Sequence, residues 1–136
     1  ENNPTQCWIV SAPSRTKAYK NGKSVKVKRS EIQLFALFEP AKNIYGQISF
    51  TSGYPFKSGS SVKVSIGSSE HILSQTDGEW AWPKSSRENE ELLNSLRRGA
   101  KALVSGVSSK GTTTKDTFSL LGFSAAFGEA QKRCGT

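Results

Sequence analysis

Residues 31–39 read EIQLFALFE, and the way this stretch is read decides the fold. At a period of two, Ile32, Leu34, Ala36 and Phe38 share one face while Phe35 and Leu37 load the other. Alternate side chains of an extended chain point to opposite sides, so this is the pattern of a central strand covered on both faces. The same period continues outward in both directions. Upstream, CWIVS at 7–11 is a short apolar strand. Downstream, NIYGQISFT at 43–51 puts Ile44, Ile48 and Phe50 on one face. SVKVSIG at 61–67 alternates Val62, Val64 and Ile66 with Lys63 and Ser65, which predicts a half-exposed strand. Further strands are predicted at 70–74, 101–108 and 113–120, with Gly, Ser, Asn and Asp clusters between them to turn the chain. About seven short, mostly antiparallel strands predict a mainly β, sandwich-like domain.

Two segments have helical spacing instead. SSRENEELLNSLRRG, at 85–99, begins with Ser85 and Glu88 in capping-box register. Its first turn carries acids, its last turn carries Arg97 and Arg98, and Gly99 follows at the C-cap. A helix over 86–98 follows, with Leu92, Leu93 and Leu96 as its buried stripe. In the tail, Phe123, Ala126, Phe127 and Ala130 recur at helical spacing ahead of Lys132 and Arg133, predicting a C-terminal helix that ends near Cys134. The 136 residues show no internal repeat and no linker, so 1–136 is read as a single domain. No apolar run approaches the roughly 20 residues of a membrane-spanning helix. The chain does not begin with Met, and a processed or trimmed start at Glu1 is expected.

The two cysteines, Cys7 and Cys134, stand at opposite ends. In an oxidising compartment they have one intramolecular pairing, which would fasten the tail helix to the first strand; in a reducing one they are two unrelated buried thiols. The loop-entropy relation puts the bridge at roughly 5 kcal/mol as an upper figure.

Three blocks carry a resemblance: GYPFKSGSSVKVSIG (53–67), DGEWAW (77–82) leading into the acidic helix that ends LRRG, and SSKGTTTKDTFSLLGFSAAF (108–127) with its closing cysteine. Together they resemble the invasion-associated locus B family of bacterial envelope proteins, from about Cys7 to Cys134, most specifically in SLLGFSAAF and GYPFK. The resemblance implies a protein made with a signal peptide and exported, periplasmic or associated with the outer surface, with a part in host-cell association. It brings no catalytic residues with it. The lysine-rich stretch before Glu31 matches no motif of the family.

That stretch is where the charge lies. Residues 1–30 carry a net +6 and the remaining 106 only +2, of a total of +8. Arg15, Lys17, Lys20, Lys23, Lys26, Lys28 and Arg29 supply it, and Asn21-Gly22 in their midst predicts an exposed loop or hairpin over 14–30. Such a cluster attracts polyanions: anionic lipid, acidic polysaccharide or nucleic acid. The alternative is a solvated loop that only aids solubility. Tyr19 is its one aromatic, so the stacking platforms of single-strand binders are missing, and nucleic acid ranks below an anionic envelope or host-surface component. Peripheral membrane contact fits the same chemistry. A second candidate surface is the aromatic set Tyr54, Phe56, Trp80 and Trp82 near turns. Against it, Phe56 and one tryptophan can serve as core plugs. Alternation places Trp80 and Trp82 on one face.

Enzyme readings find little footing. The one histidine, His71, falls in a predicted strand, where a structural role is the commoner one. Ser14 with Lys17 and Ser60 with Lys63 match Ser-x-x-Lys without the companion signatures. One histidine and two terminal cysteines do not make a zinc set, and SGVSSKGTT lacks the phosphate-loop spacing. The expectation is a non-enzymatic exported interaction module with no cofactor and no metal. Its rivals are a polyanion- or nucleic-acid-binding module and an exported enzyme with an unrecognised site.

Overall fold

The structure, a computed structural model, describes residues 5–134; Glu1 and the expectation attached to it lie outside the described residues. Eleven strands and two α-helices are formed among the described residues. The strands are β1 (Cys7–Ser11), β2 (Arg15–Lys20), β3 (Lys23–Ser24), β4 (Gln33–Glu39), β5 (Ile44–Thr51), β6 (Val62–Ile66), β7 (Ser69–Leu73), β8 (Gln75–Asp77), β9 (Trp80–Trp82), β10 (Lys101–Val107) and β11 (Thr113–Ser119). The helices are α1 (Ser86–Arg98) and α2 (Phe123–Cys134). A five-stranded antiparallel sheet has the order β1-β4-β5-β9-β8, and a six-stranded one the order β3-β2-β11-β10-β6-β7. The mainly β, sandwich-like reading with two helices holds. Beyond the seven predicted strands, β2 and β3 form the hairpin that is one of the two readings of 14–30, β9 holds the alternating Trp80 and Trp82, and β8 is too short to show a period of its own.

One core joins the two sheets. Leu34, Ala36, Phe38, Ile48 and Phe50 from the first meet Val62, Val64, Val104 and Phe118 from the second, all fully buried or nearly so. The rings of Phe50 and Phe118 cross between the sheets edge to face at 6.2 Å. Leu92, Leu93 and Leu96 of α1 and Phe123, Phe127 and Ala130 of α2 join this core, as their spacing predicts. The β4 strand departs from expectation in one respect. Its inner residues are buried, but Phe35 and Leu37 are only half-buried, on an outer face of the five-stranded sheet where Trp8, Val10 and Trp80 are exposed as well.

Local signals explain how the helices are held. The Ser85 hydroxyl accepts the Glu88 N–H, the capping interaction expected of that pair. Gly99 caps the far end with φ −84°, a conformation open to any residue. Its small size is what the site needs: a Cβ there would stand 2.3 Å from Ile66 Cγ2, so glycine lets β6 and the helix end close on each other. Cys7 and Cys134 are joined by a disulfide with Cα atoms 5.9 Å apart, across 127 residues of sequence. It fixes the last residue of α2 to the first of β1, and Cys134 is buried there.

Candidate functional site

The basic segment is a hairpin. Asn21 (φ 53°) and Gly22 (φ 77°) both take the left-handed conformation of a tight turn between β2 and β3. β2 does not stand alone; it pairs along its length with β11, Arg15 opposite Thr117, Lys17 opposite Lys115 and Tyr19 opposite Thr113.

This pairing divides the seven predicted cations. Arg15 and Lys17 are exposed and alternate with buried Ala18, so they point outward from the six-stranded sheet. Lys20 and Lys23 face each other at the hairpin tip, and Lys26 and Lys28 lie exposed on the return stretch. Arg29 leaves the set. Its side chain is 7% exposed and binds Asp116, itself fully buried, through Nη1–Oδ1 at 2.7 Å and Nη2–Oδ2 at 2.8 Å. Its Nε donates to the Ser52 carbonyl at 3.0 Å, and its guanidinium lies over the Tyr54 ring at 5.1 Å. The reading of Arg29 as a surface anion-binding residue is therefore corrected: Asp116 points inward on β11 and requires a buried counter-charge.

The sheet adds cations that a scan for local runs misses. Lys115 on β11, Lys101 on β10 and Lys63 on β6 are exposed, and they alternate with the buried Asp116, Ala102 and Val64. They therefore share the outer face with Arg15 and Lys17. Along one row Lys17 opposes Lys115, Lys115 opposes Ser105, and Ser105 opposes Lys63. Arg15, Lys17, Tyr19, Leu103, Lys115 and Thr117 line a depression of about 200 Å³ on this face. Among the described residues, Arg15, Lys17, Lys101 and Lys115 have no carboxylate within ion-pair distance; Lys63 has Glu70 at 3.6 Å. The Lys115 ammonium lies 5.9 Å from the Tyr19 ring centre.

The four predicted surface aromatics do not gather. Tyr54 is buried, its hydroxyl bonded to that of Thr114, and burial pushes its pKa up against the lowering effect of that bond and of Arg29. Phe56 packs on Phe50 and Tyr54 beside the core. Trp80 and Trp82 do share a face, the outer one of the five-stranded sheet, since Ala81 between them points inward. There Trp80 meets Phe35 at 5.5 Å, and Phe35 meets Trp8 at 5.8 Å. Trp8 (52% exposed) was readable from the alternation of CWIVS about buried Ile9.

His71 Nε2 lies 2.9 Å from Ser95 Oγ, and the Glu91 carboxylate acts on the ring. Burial lowers the His71 pKa, and Glu91 opposes that shift. As a nucleophile and base this pair is poorly placed. Ser95 is a buried residue in the interior of α1, where backbone N–H groups are committed to the helix and none is free to stabilise an oxyanion. What the contact does is pin α1 to β7. Asn89 makes a similar clamp on the other sheet, accepting the Ile48 N–H at 2.9 Å and donating to the Gly46 carbonyl at 2.9 Å.

A family model described as Invasion associated locus B (IalB) protein matches residues 1–131 of this chain. No curated protein and no solved structure matches it.

Proposed function

The chain belongs to the invasion-associated locus B family, and from that premise we propose that it is a non-enzymatic, exported interaction module of the bacterial envelope. In this reading it works in the periplasm or at the outer surface. Its partner is an anionic envelope or host-surface component, lipid or polysaccharide, met through the basic hairpin, and host-cell association is the setting in which that contact is used. Family membership and the Cys7–Cys134 bridge support export, since such bridges persist where the surroundings are oxidising. The observation that carries the interaction reading is the hairpin. Lys20, Lys23, Lys26 and Lys28 are exposed, and none has a carboxylate within ion-pair distance among the described residues. Lys20 opposite Lys23 is a like-charge cross-strand pair, an arrangement that disfavours the hairpin unless an anion relieves it.

The test is a pull-down from envelope extract with the oxidised protein beside the variant K20E/K23E/K26E/K28E, with anionic vesicles and acidic glycans as defined probes. Retention by the native chain and loss in the variant is the expected result; equal retention by both overturns the reading. Fractionation of the producing cell, with thiol state read by alkylation, tests export separately. A reduced chain in the cytosolic fraction contradicts it.

A further inference from the structure

We propose that the outer face of the six-stranded sheet is a binding site for a linear acidic polysaccharide whose carboxylates lie on its sugar rings. This rests on the anionic-partner reading above but assigns the contact to different residues, most of them outside the hairpin segment.

Three observations carry it. The face gathers Arg15, Lys17, Lys63, Lys101 and Lys115 from four strands, and among the described residues its one opposing acid is Glu70 beside Lys63. Lys17 sits directly opposite Lys115, so their Cβ atoms are about 5 Å apart and the pair is repulsive without a counter-ion. Between Arg15, Lys17 and Lys115 the surface is concave, and Tyr19, Leu103 and Thr117 complete its lining. Leu103 is 36% exposed on this face, between Thr117 and Ser65 of the flanking strands, and supplies apolar surface beside the cations. Apolar lining and neighbouring cations together fit an acid-bearing sugar. The ring's C–H face lies on Leu103 and Tyr19, and its carboxylate takes charge-assisted hydrogen bonds from Arg15, Lys17 or Lys115.

The spacing fits a chain better than a single small anion. Adjacent strands stand about 4.8 Å apart, so the row Lys17, Lys115, Ser105, Lys63 spans about 14 Å, the length of roughly three sugar residues. Lys101 lies on the same face, four residues along β10 from Ser105. A nucleic-acid strand fits less well. Among the described residues the single aromatic on the face is Tyr19, and one ring does not make a platform for successive bases. A bilayer presents headgroups in a plane, and a concave subsite cannot meet them without loss of contact.

Titration calorimetry with an oligogalacturonate of about six residues tests this, run at two salt concentrations. The variants are K17Q/K115Q on the face and K20Q/K23Q/K26Q/K28Q at the hairpin. The expected result is binding by the native chain that weakens with salt. It falls at least tenfold in K17Q/K115Q and less than threefold in the hairpin variant. Because K17Q/K115Q removes a repulsive pair, its melting temperature should be equal to or above that of the native chain, so lost binding cannot be ascribed to misfolding. Unchanged affinity in K17Q/K115Q overturns the proposal. If only the hairpin variant loses binding, the face is wrong while the anionic-partner reading stands. Binding to phosphatidylglycerol vesicles or to single-stranded DNA, with none to the uronate, overturns the polysaccharide assignment. Absence of binding to every probe overturns both readings.

Discussion

Arg29 and Asp116 form a two-pronged ion pair, at 2.7 and 2.8 Å, between a loop residue and a strand residue 87 positions apart, with both side chains almost wholly removed from water. The pair anchors the end of the basic segment to the sheet that displays it. Removing one partner leaves the other charge buried without compensation. D116L or R29M should therefore cost about 3–5 kcal/mol, whereas the apolar pair R29M/D116L should cost far less than the sum of the single changes. Urea titration of the four proteins measures this. Strict additivity in the cycle would show that the two groups do not act as a pair.

The Cys7–Cys134 bridge closes a loop of nearly the whole described chain. Its removal in C7S/C134S should lower stability by up to about 5 kcal/mol. The native protein in reductant should shift by a similar amount. If urea midpoints with and without reductant coincide, the bridge is not contributing stability in solution.

His71 makes stability depend on pH in a fixed direction. Its folded pKa lies below the ordinary 6.5, chiefly because burial disfavours the charged ring, with Glu91 partly offsetting. A depressed histidine contributes stability that is fully present above about pH 6.5 and is lost as pH falls through the folded value. Melting temperatures taken from pH 8 to pH 5 should fall on the acid side, and H71Q should lose that component. An identical pH profile in H71Q would remove the histidine from the explanation.

Gly99 makes room for Ile66. With backbone angles any residue can adopt, G99A should be destabilising through crowding, chiefly the 2.3 Å approach to Ile66 and then the 3.2 Å approaches to Leu120 Cδ1 and the Ser95 carbonyl oxygen, by about 1–3 kcal/mol. Its cost should shrink in the background I66A, where the opposing methyl is gone. A G99A variant as stable as the native chain would mean that β6 shifts freely.

The helix cap gives a smaller, local effect. S85A removes the acceptor for the Glu88 N–H and should cost about 1 kcal/mol, while S85D should retain most of the stability. Thermal melts resolve both, and equal values for S85A and the native chain would mean the first turn has another acceptor.

Much of this architecture is legible in the linear sequence, for identifiable reasons. Long strands such as β4, β10 and β11 show their alternation, and α1 shows its cap, dipole charges and leucine stripe, because these depend on neighbours within a few residues. The three-residue strand β8 is shorter than any period that reveals it, β9 shows only the alternation of Trp80 and Trp82, and β2 hides its one buried residue, Ala18, among cations. The candidate surface was half legible. A run of lysines announces itself, but Arg29 reads like its neighbours although its partner stands on β11.

From its sequence alone this protein was determined to be a β domain with two helices, a tail fastened to its head once the cysteines pair, and an excess of positive charge near its start. Strand pairing and packing decided the rest. They turned Arg29 inward to Asp116, brought Lys63, Lys101 and Lys115 beside Lys17, and split the expected aromatic set between the interior and the opposite sheet. The physical reason is that charge and burial at a β-sheet position depend on the facing strand, and which strand faces it is fixed by long-range pairing that no local pattern encodes.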